Sequence, residues 1–258
     1  MVPLPSVFLS HGSPMHALEA GPAGLAWAAL GKRLGKPKAI LIASAHWETN
    51  VPMVTGASHP ETIHDFSGFP EPLYKLRYTA PGAPGVAQRV VSLLRNSEMT
   101  AAIDGCRGLD HGAWAPLLYM YPDADVPVVQ LSLQPGLGTR HHLRLGRALR
   151  AIQEENVLVI GSGHMTHNLR DWMRGEGTPQ PYAEEFADWV KSKLEQRDHE
   201  SLADYRAKAP QGARAHPTDE HFLPLFFAVG AAKDDYTAER VFSAVDGGVL
   251  SMDAYVFN

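Results

Sequence analysis

The chain has 258 residues, with 23 basic and 28 acidic side chains and a formal net charge of −5 at neutral pH. Both signs are scattered along it, so it carries no basic footprint for nucleic acid, and no apolar run approaches a membrane span. A single cysteine, Cys106, excludes a disulfide within the chain and agrees with a reducing cytoplasm. The opening MVPLPSVFLSHGSP lacks the basic and long apolar segments of a signal peptide. The compositional anomaly is histidine. There are 13, many beside Gly, Ser, Pro or Asp in predicted loops, which points to metal or proton chemistry.

In chain order, Val7-Phe8-Leu9 reads as a buried strand ending in Ser10-His11-Gly12-Ser13-Pro14. Gly24–Leu34 has helical spacing, with Leu25, Ala28, Ala29 and Leu30 predicted to face inward, and Gly35-Lys36-Pro37 closes it. Ala39–Ala43 is a near-continuous apolar run, the pattern of a strand buried on both faces of a parallel sheet. It ends on Ser44-Ala45-His46, with Trp47 and Glu48 next. This β-α-β opening predicts a right-handed crossover.

Residues 47–82 form a long excursion holding TIHDFSGFP at 62–70, whose aromatic and proline density predicts a packed lid or pocket wall. Ala83–Leu94 reads as a helix. LDHGAWAPL at 109–117 opens another, with Asp110 as its cap. Val126–Leu133 is a further strand. Gly138–Gln153 is a basic helix whose arginines at 140, 144, 147 and 150 predict a solvated face.

Val157–Ile160 is a third strand that runs into small residues and histidine, Gly161-Ser162-Gly163-His164-Met165-Thr166-His167. Tyr182–Leu194 predicts a helix burying Phe186, Trp189, Val190 and Leu194, and Ala203–Arg214 reads as polar and peripheral. Thr218 is the expected cap of a helix with Glu220 and His221 in its first turn. Val241–Val245 and Val249–Val256 predict a closing hairpin across Asp246-Gly247-Gly248.

These elements predict one α/β domain over residues 1–258, with a mostly parallel central sheet flanked by helices. Three strands ending in histidine bring their imidazoles to the carboxyl edge of that sheet, where open α/β folds bind ligands. His11 and His46 are the leading metal-ligand candidates, and a third ligand comes from among His164, His167, His221 and Glu220. His64 and His111 each adjoin an aspartate able to fix a tautomer. His16, His59, His141, His142, His199 and His216 read as surface residues. The chain lacks HExxH, a complete nucleophile elbow, a Walker A sequence and a dinucleotide fingerprint, which argues against the chemistries those motifs serve.

Six blocks, SHGSP at 10–14, SAHWE at 44–48, TIHDFSGFP at 62–70, LDHGAWAPL at 109–117, SGHMTHNL at 162–169 and DEHFLPL at 219–225, together resemble the DOPA 4,5-dioxygenase-type extradiol family. These are class III extradiol dioxygenases, related to the protocatechuate 4,5-dioxygenase catalytic subunit. The resemblance runs in order over nearly the whole chain. It implies a single catalytic domain that inserts both atoms of O2 into a catechol-type substrate, DOPA or a similar ortho-diphenol, at one non-haem metal.

By the same resemblance His11, His46 and His221 are the metal ligands, His167 and His111 the acid–base residues, and His64 and Trp47 part of the substrate pocket. Fe(II) is the metal expected for activity, and Zn(II) is an ion that a purified sample would also hold. A zinc-dependent hydrolase using the same histidines is the alternative, and a non-catalytic metal-binding module a third reading. The expected partners are a small catechol and O2, with neither nucleic acid nor membrane, in the cytoplasm. Arg77, Tyr78 and Arg174 are candidates for neutralising a substrate carboxylate.

Overall fold

The computed structural model describes residues 3–175 and 177–258. Its strands are β1 (Ser6–Ser10), β2 (Ala39–Glu48), β3 (Met53–Thr55), β4 (Ala102–Asp104), β5 (Val128–Leu133), β6 (Val157–Gly163), β7 (Ala238–Phe242), β8 (Val245–Asp246), β9 (Leu250–Ser251) and β10 (Ala254–Phe257). Eight of them form one sheet in the order β4-β3-β5-β2-β6-β1-β10-β7, while β8 and β9 pair as a separate small hairpin. The centre, β5-β2-β6-β1, is parallel throughout. β10 adds antiparallel to β1, and β7 to β10, so the sheet is mixed only towards its edges.

The first two predicted strands do not touch each other. Both pair with β6, which enters between them much later in the chain. Register then decides where the histidines fall. Ser10 lies beside Gly163, and Ser44 beside Ser162, so the carboxyl ends of β1, β2 and β6 are level. β2 runs on through His46 to Glu48, past the predicted stop at Ser44, by way of a register irregularity against β5.

Helices cover both faces. On one side the Gly21–Leu34 helix buries Ala23, Gly24, Trp27, Leu30 and Gly31. Of the expected inward face Leu30 is buried, but Leu25 is 72 % exposed, and Ala28 and Ala29 are exposed too. Turning the helix this way puts the large Trp27 indole in the core, where its apolar area contributes more than a leucine and two methyls. On the other face the Leu223–Ala231 helix has every residue buried and packs against β6 and the Gly138–Leu149 helix.

Other departures have similar causes. Residues 218–222 form turns, and the helix starts at Leu223 with no side-chain cap from Thr218. The Ala203–Arg214 region is not wholly peripheral, because Tyr205 anchors it in the core beside Phe186 and Phe222. His141, His142 and His216 are buried, not surface residues. Each ring finds an acceptor or donor inside: Gln134 Oε1, Gly138 O and Met165 O respectively. The closing hairpin is present, though β7 begins three residues before the predicted first strand and β10 ends one residue beyond the predicted second, with β8 and β9 paired between them. Arg140 and Arg150 lie on the exposed face as expected, paired with Glu200, Asp204 and Asp234. Among the described residues no helix is long and apolar enough to cross a membrane.

Candidate metal centre

His11 is the first residue beyond β1, and its backbone N–H donates to Gly163 O at 2.9 Å, so the chain leaves the sheet with the ring held over β6. His46 lies two residues beyond Ser44 on β2 and shares its side of the strand. His221 comes from the turn before the apolar helix, with its carbonyl accepting from His164 N at 2.7 Å. That turn lies directly against β6: a Cβ on Gly163 would fall 2.2 Å from His221 O, so only glycine fits. The three residues place one ring nitrogen each within 4.8 Å of one another.

Their outer nitrogens are all occupied. Ser162 Oγ donates its proton to Gly112 O, and therefore can only accept from His11 Nδ1, 3.1 Å away. His46 Nδ1 faces Asp65 Oδ2 at 3.4 Å, and His221 Nδ1 donates to Glu220 Oε1 at 2.9 Å. His11 and His221 are thus held with the proton on Nδ1 and a lone pair on Nε2, and the Asp65 carboxylate favours the same tautomer in His46. The Nε2 atoms of His11 and His46 stand only 3.0 Å apart.

Three more imidazoles border this cluster. His111 opens the His111–Met120 helix, whose cap Asp110 accepts from Ala113 N as predicted. Its ring lies 4.0 Å from that of His46, centroid to centroid. His167 stacks on His221 at 3.5 Å with an interplanar angle of 13°. His164 is buried edge-on to His11, and its Nδ1 has no partner among the described residues.

The aspartates adjoining His64 and His111 act crosswise. Asp65, sequence neighbour of His64, binds His111 instead, through the backbone N–H and through Nδ1, both at 2.9 Å. Asp110, neighbour of His111, is wholly buried. It accepts from Ser44 Oγ at 2.7 Å and Arg107 Nη2 at 3.3 Å, and from the Gln130 amide. Gly112 lies where these groups meet, since a Cβ there would sit 2.4 Å from Ser44 Oγ and 3.0 Å from His46 Cδ2. Gln130 and Arg107 carry no signal of their own in the sequence, and Ser162 and Gly112 stand inside motifs that do not show what they touch. Only the level strand ends pointed to their neighbourhood.

Burial dominates the electrostatics. Desolvation, followed by repulsion from neighbouring imidazoles, holds His11, His164 and His221 well below the ordinary histidine range. His46 falls to about 4 by desolvation and the nearness of His111, against the pull of Asp110 and Asp65. His167 falls to about 4 for the same first reason, with His111 second. Burial alone would raise the Asp65 carboxyl, but the His111 hydrogen bond and the charges of His111 and His46 outweigh it and leave it at about 2.

The residues expected in a substrate pocket are dispersed. His64 packs edge-on to Phe66 and Trp114, and Phe66 in turn meets His111 edge-on at 5.6 Å. Trp47 alternates to the side of β2 away from His46, under the Arg107 guanidinium 4.7 Å from its ring centroid. Arg77 donates to Tyr74 O and Leu76 O and lies 3.4 Å from His64 Nε2, while the buried Tyr78 hydroxyl donates to Tyr121 O.

Residues 5–251 match the family described as the catalytic LigB subunit of aromatic ring-opening dioxygenase. The chain belongs to the LigB family. It is 43 % identical to the 4,5-DOPA dioxygenase extradiol of Beta vulgaris over 260 residues, covering 97 % of this chain and 95 % of the relative. The enzyme of the same name from Escherichia coli K12 is 40 % identical over 257 residues, covering 96 % of this chain and 93 % of the relative. A crystal structure of an uncharacterized Escherichia coli K12 protein superposes with a TM-score of 0.84 at 35 % identity, covering 99 % of this chain and 100 % of that one.

As a LigB-family protein the chain is a metal-dependent, non-haem extradiol ring-cleaving dioxygenase. The hydrolase alternative has no support among these relatives. In this LigB-family chain the donor set fits a cation. Two nitrogen lone pairs facing each other at 3.0 Å repel unless a positive charge lies between or beside them. Nitrogens at right angles on one ion, each at about 2.1 Å, would stand about 3 Å apart.

Proposed function

We propose that residues 1–258 act as one catalytic domain, in which His11, His46 and His221 hold a single Fe(II) and open the ring of a catechol. The observation that carries this reading is the convergence of one ring nitrogen from each of three buried or half-buried histidines, each with an oxygen at its Nδ1. Three neutral imidazoles leave coordination positions for a diol and a gas molecule, and they also suit Zn(II), the ion a purified sample would hold alongside or instead of iron. Zinc in that place gives no oxygen chemistry, because it does not change oxidation state. When bound, the iron supplies the electron transfer between catechol and O2 that neither the substrate nor any side chain provides.

The side chains manage protons and position. A catechol must lose a proton to bind as an anion, and His111 takes it at Nε2; the Asp65 bond to the opposite nitrogen, which balances the charge, supports this reading. His167, neutral at rest, takes up the second catechol proton and returns it as the ring opens. Burial disfavours its charged form, so the imidazolium gives its proton up readily. His64 and Phe66 form an aromatic wall beside His111. Trp47 supports the site at one remove, by seating Arg107 between Asp110 and the His46 carbonyl.

The substrate is an ortho-diphenol of the DOPA class, which is the substrate named for the relatives from Beta vulgaris and Escherichia coli. The place of action is the cytoplasm, with the lone cysteine in keeping. Anaerobic reconstitution with Fe(II), followed by oxygen uptake against a panel of catechols, tests the assignment. Uptake with a coloured ring-opened product is expected. Fe(II)-loaded protein that consumes no oxygen with any ortho-diphenol overturns it.

A further inference from the structure

A cavity of about 500 Å³ opens beside His167, between the segment that follows β6 and the residues leading to the His221 turn; Arg170, Asp171, Arg214, Pro217 and Thr218 are among its walls. Its volume lies within the roughly 300–1,000 Å³ of small-molecule sites. His167, whose ring stacks on His221, is one of its walls, so the cleft adjoins the histidine cluster.

Two guanidiniums line the cleft, and they differ in what they have left to bind. Arg214 is committed. Its Nε donates to Asp171 Oδ2 at 2.8 Å, its Nη2 to Gln180 Oε1 at 3.3 Å, and its Cζ sits 4.2 Å over the Tyr182 ring. Asp171 and Arg214 therefore cancel. Arg170 is exposed and makes no ion pair or side-chain hydrogen bond among the described residues. The uncompensated charge on the wall is a single positive one, on a side chain with a planar fork of donors that matches a carboxylate. Arg174, further along the same short helix, is not a wall of this cleft.

We propose that Arg170 is a specificity residue, binding the side-chain carboxylate of a catechol whose diol end lies at the histidine cluster. This rests on the ring-opening reading above and narrows it to catechols that carry an acid. Neutral catechols gain nothing from Arg170, and a cationic side chain is repelled by it.

The test compares hydrocaffeate, L-DOPA, catechol and dopamine as substrates of the Fe(II)-loaded enzyme and its Arg170→Gln and Arg170→Lys variants. For Arg170→Gln, KM for hydrocaffeate and L-DOPA should rise about fivefold, the size expected of a partly exposed ion pair, with kcat nearly unchanged. KM for catechol should stay the same and that for dopamine should fall. Arg170→Lys should recover part of the loss, and Arg170→Glu should invert the preference. Equal changes for acidic and neutral catechols, or none for either, overturn the proposal. The redox-silent Zn(II)-loaded protein separates this from the reaction itself. Calorimetric affinity for hydrocaffeate should drop in Arg170→Gln while that for catechol does not, whether or not the iron form turns over. If affinity responds and no catechol is ever consumed, the ring-opening reading fails and Arg170 stands. If turnover proceeds and affinity for the acid is unmoved, Arg170 falls alone.

Discussion

At the scale of single residues, the centre separates groups that hold from groups that act. His46 faces His11 at 3.0 Å and has its other nitrogen at Asp65, so no neighbour replaces it. His46→Ala should abolish stoichiometric metal binding, read by metal analysis after dialysis, while circular dichroism stays native. His167 stacks on His221 and is also one of the walls of the cleft. His167→Ala should keep the metal and lose about 10²–10⁴ in turnover, the usual worth of a general acid or base. Full activity in that variant removes its role. Asp65→Asn is the more discriminating change, because Asp65 touches two imidazoles without being among the three proposed ligands. It should cost about 10–100-fold in activity and shift the acid limb of the pH–rate profile, whereas a merely structural aspartate would alter stability and leave that limb in place.

At the scale of elements, small residues let four segments approach. Ser10, Ser44, Gly112, Ser162 and Gly163 occupy the strand ends and the helix start, and the histidines project from the space their short side chains leave. Gly112→Ala should cost about 1–3 kcal/mol by urea denaturation and weaken metal binding, because a methyl there collides with the Ser44 hydroxyl and the His46 ring. Unchanged metal affinity in a folded Gly112→Ala protein would show that the helix start does not set the His46 ring. This is also where the sequence was most and least informative. Apolar runs closing on Ser-His, Ser-Ala-His and Gly-Ser-Gly-His located the strand ends, since a buried parallel strand has an unmistakable composition and its carboxyl end a fixed use. Pairing across the fold had no local signature. Asp65 reaches His111 and not its neighbour His64, and Asp110 turns to Ser44, Arg107 and Gln130. Helix faces misled in the same way, because Trp27 and Leu25 both suit an apolar stripe and only the packing chooses between them.

Over the whole molecule, the choice to bury imidazoles without charge sets a pH dependence that extends beyond the reaction. His142 and His216 are interior rings remote from the proposed ligands in role, lowered by desolvation to about 4 and about 3. In the unfolded chain each returns to about 6.5. Between those values the unfolded state binds more protons than the folded one, so stability falls as pH falls, beginning near 6.5 and continuing to about 4 for His142 and about 3 for His216. His46 and His167, both near 4, add to the same slope, and His11, His164 and His221 act in the same direction. Asp65 works in a separate window: its depressed carboxyl stabilises the fold above about 3.8 and loses that effect only as pH drops towards about 2. Urea midpoints of chelator-treated protein should therefore be level from about pH 8 to 7 and decline steadily below about 6.5. Metal-loaded protein should decline more steeply, since protons also compete for the lone pairs that hold the ion. His216→Gln separates the contributions, because a neutral amide removes one titrating ring from the interior and should shallow the apo slope without touching the metal-dependent one. A midpoint that rose on acidification would mean the interior histidines are charged in the folded state, and three rings bearing protons at that sheet edge would have no lone pairs left for a cation.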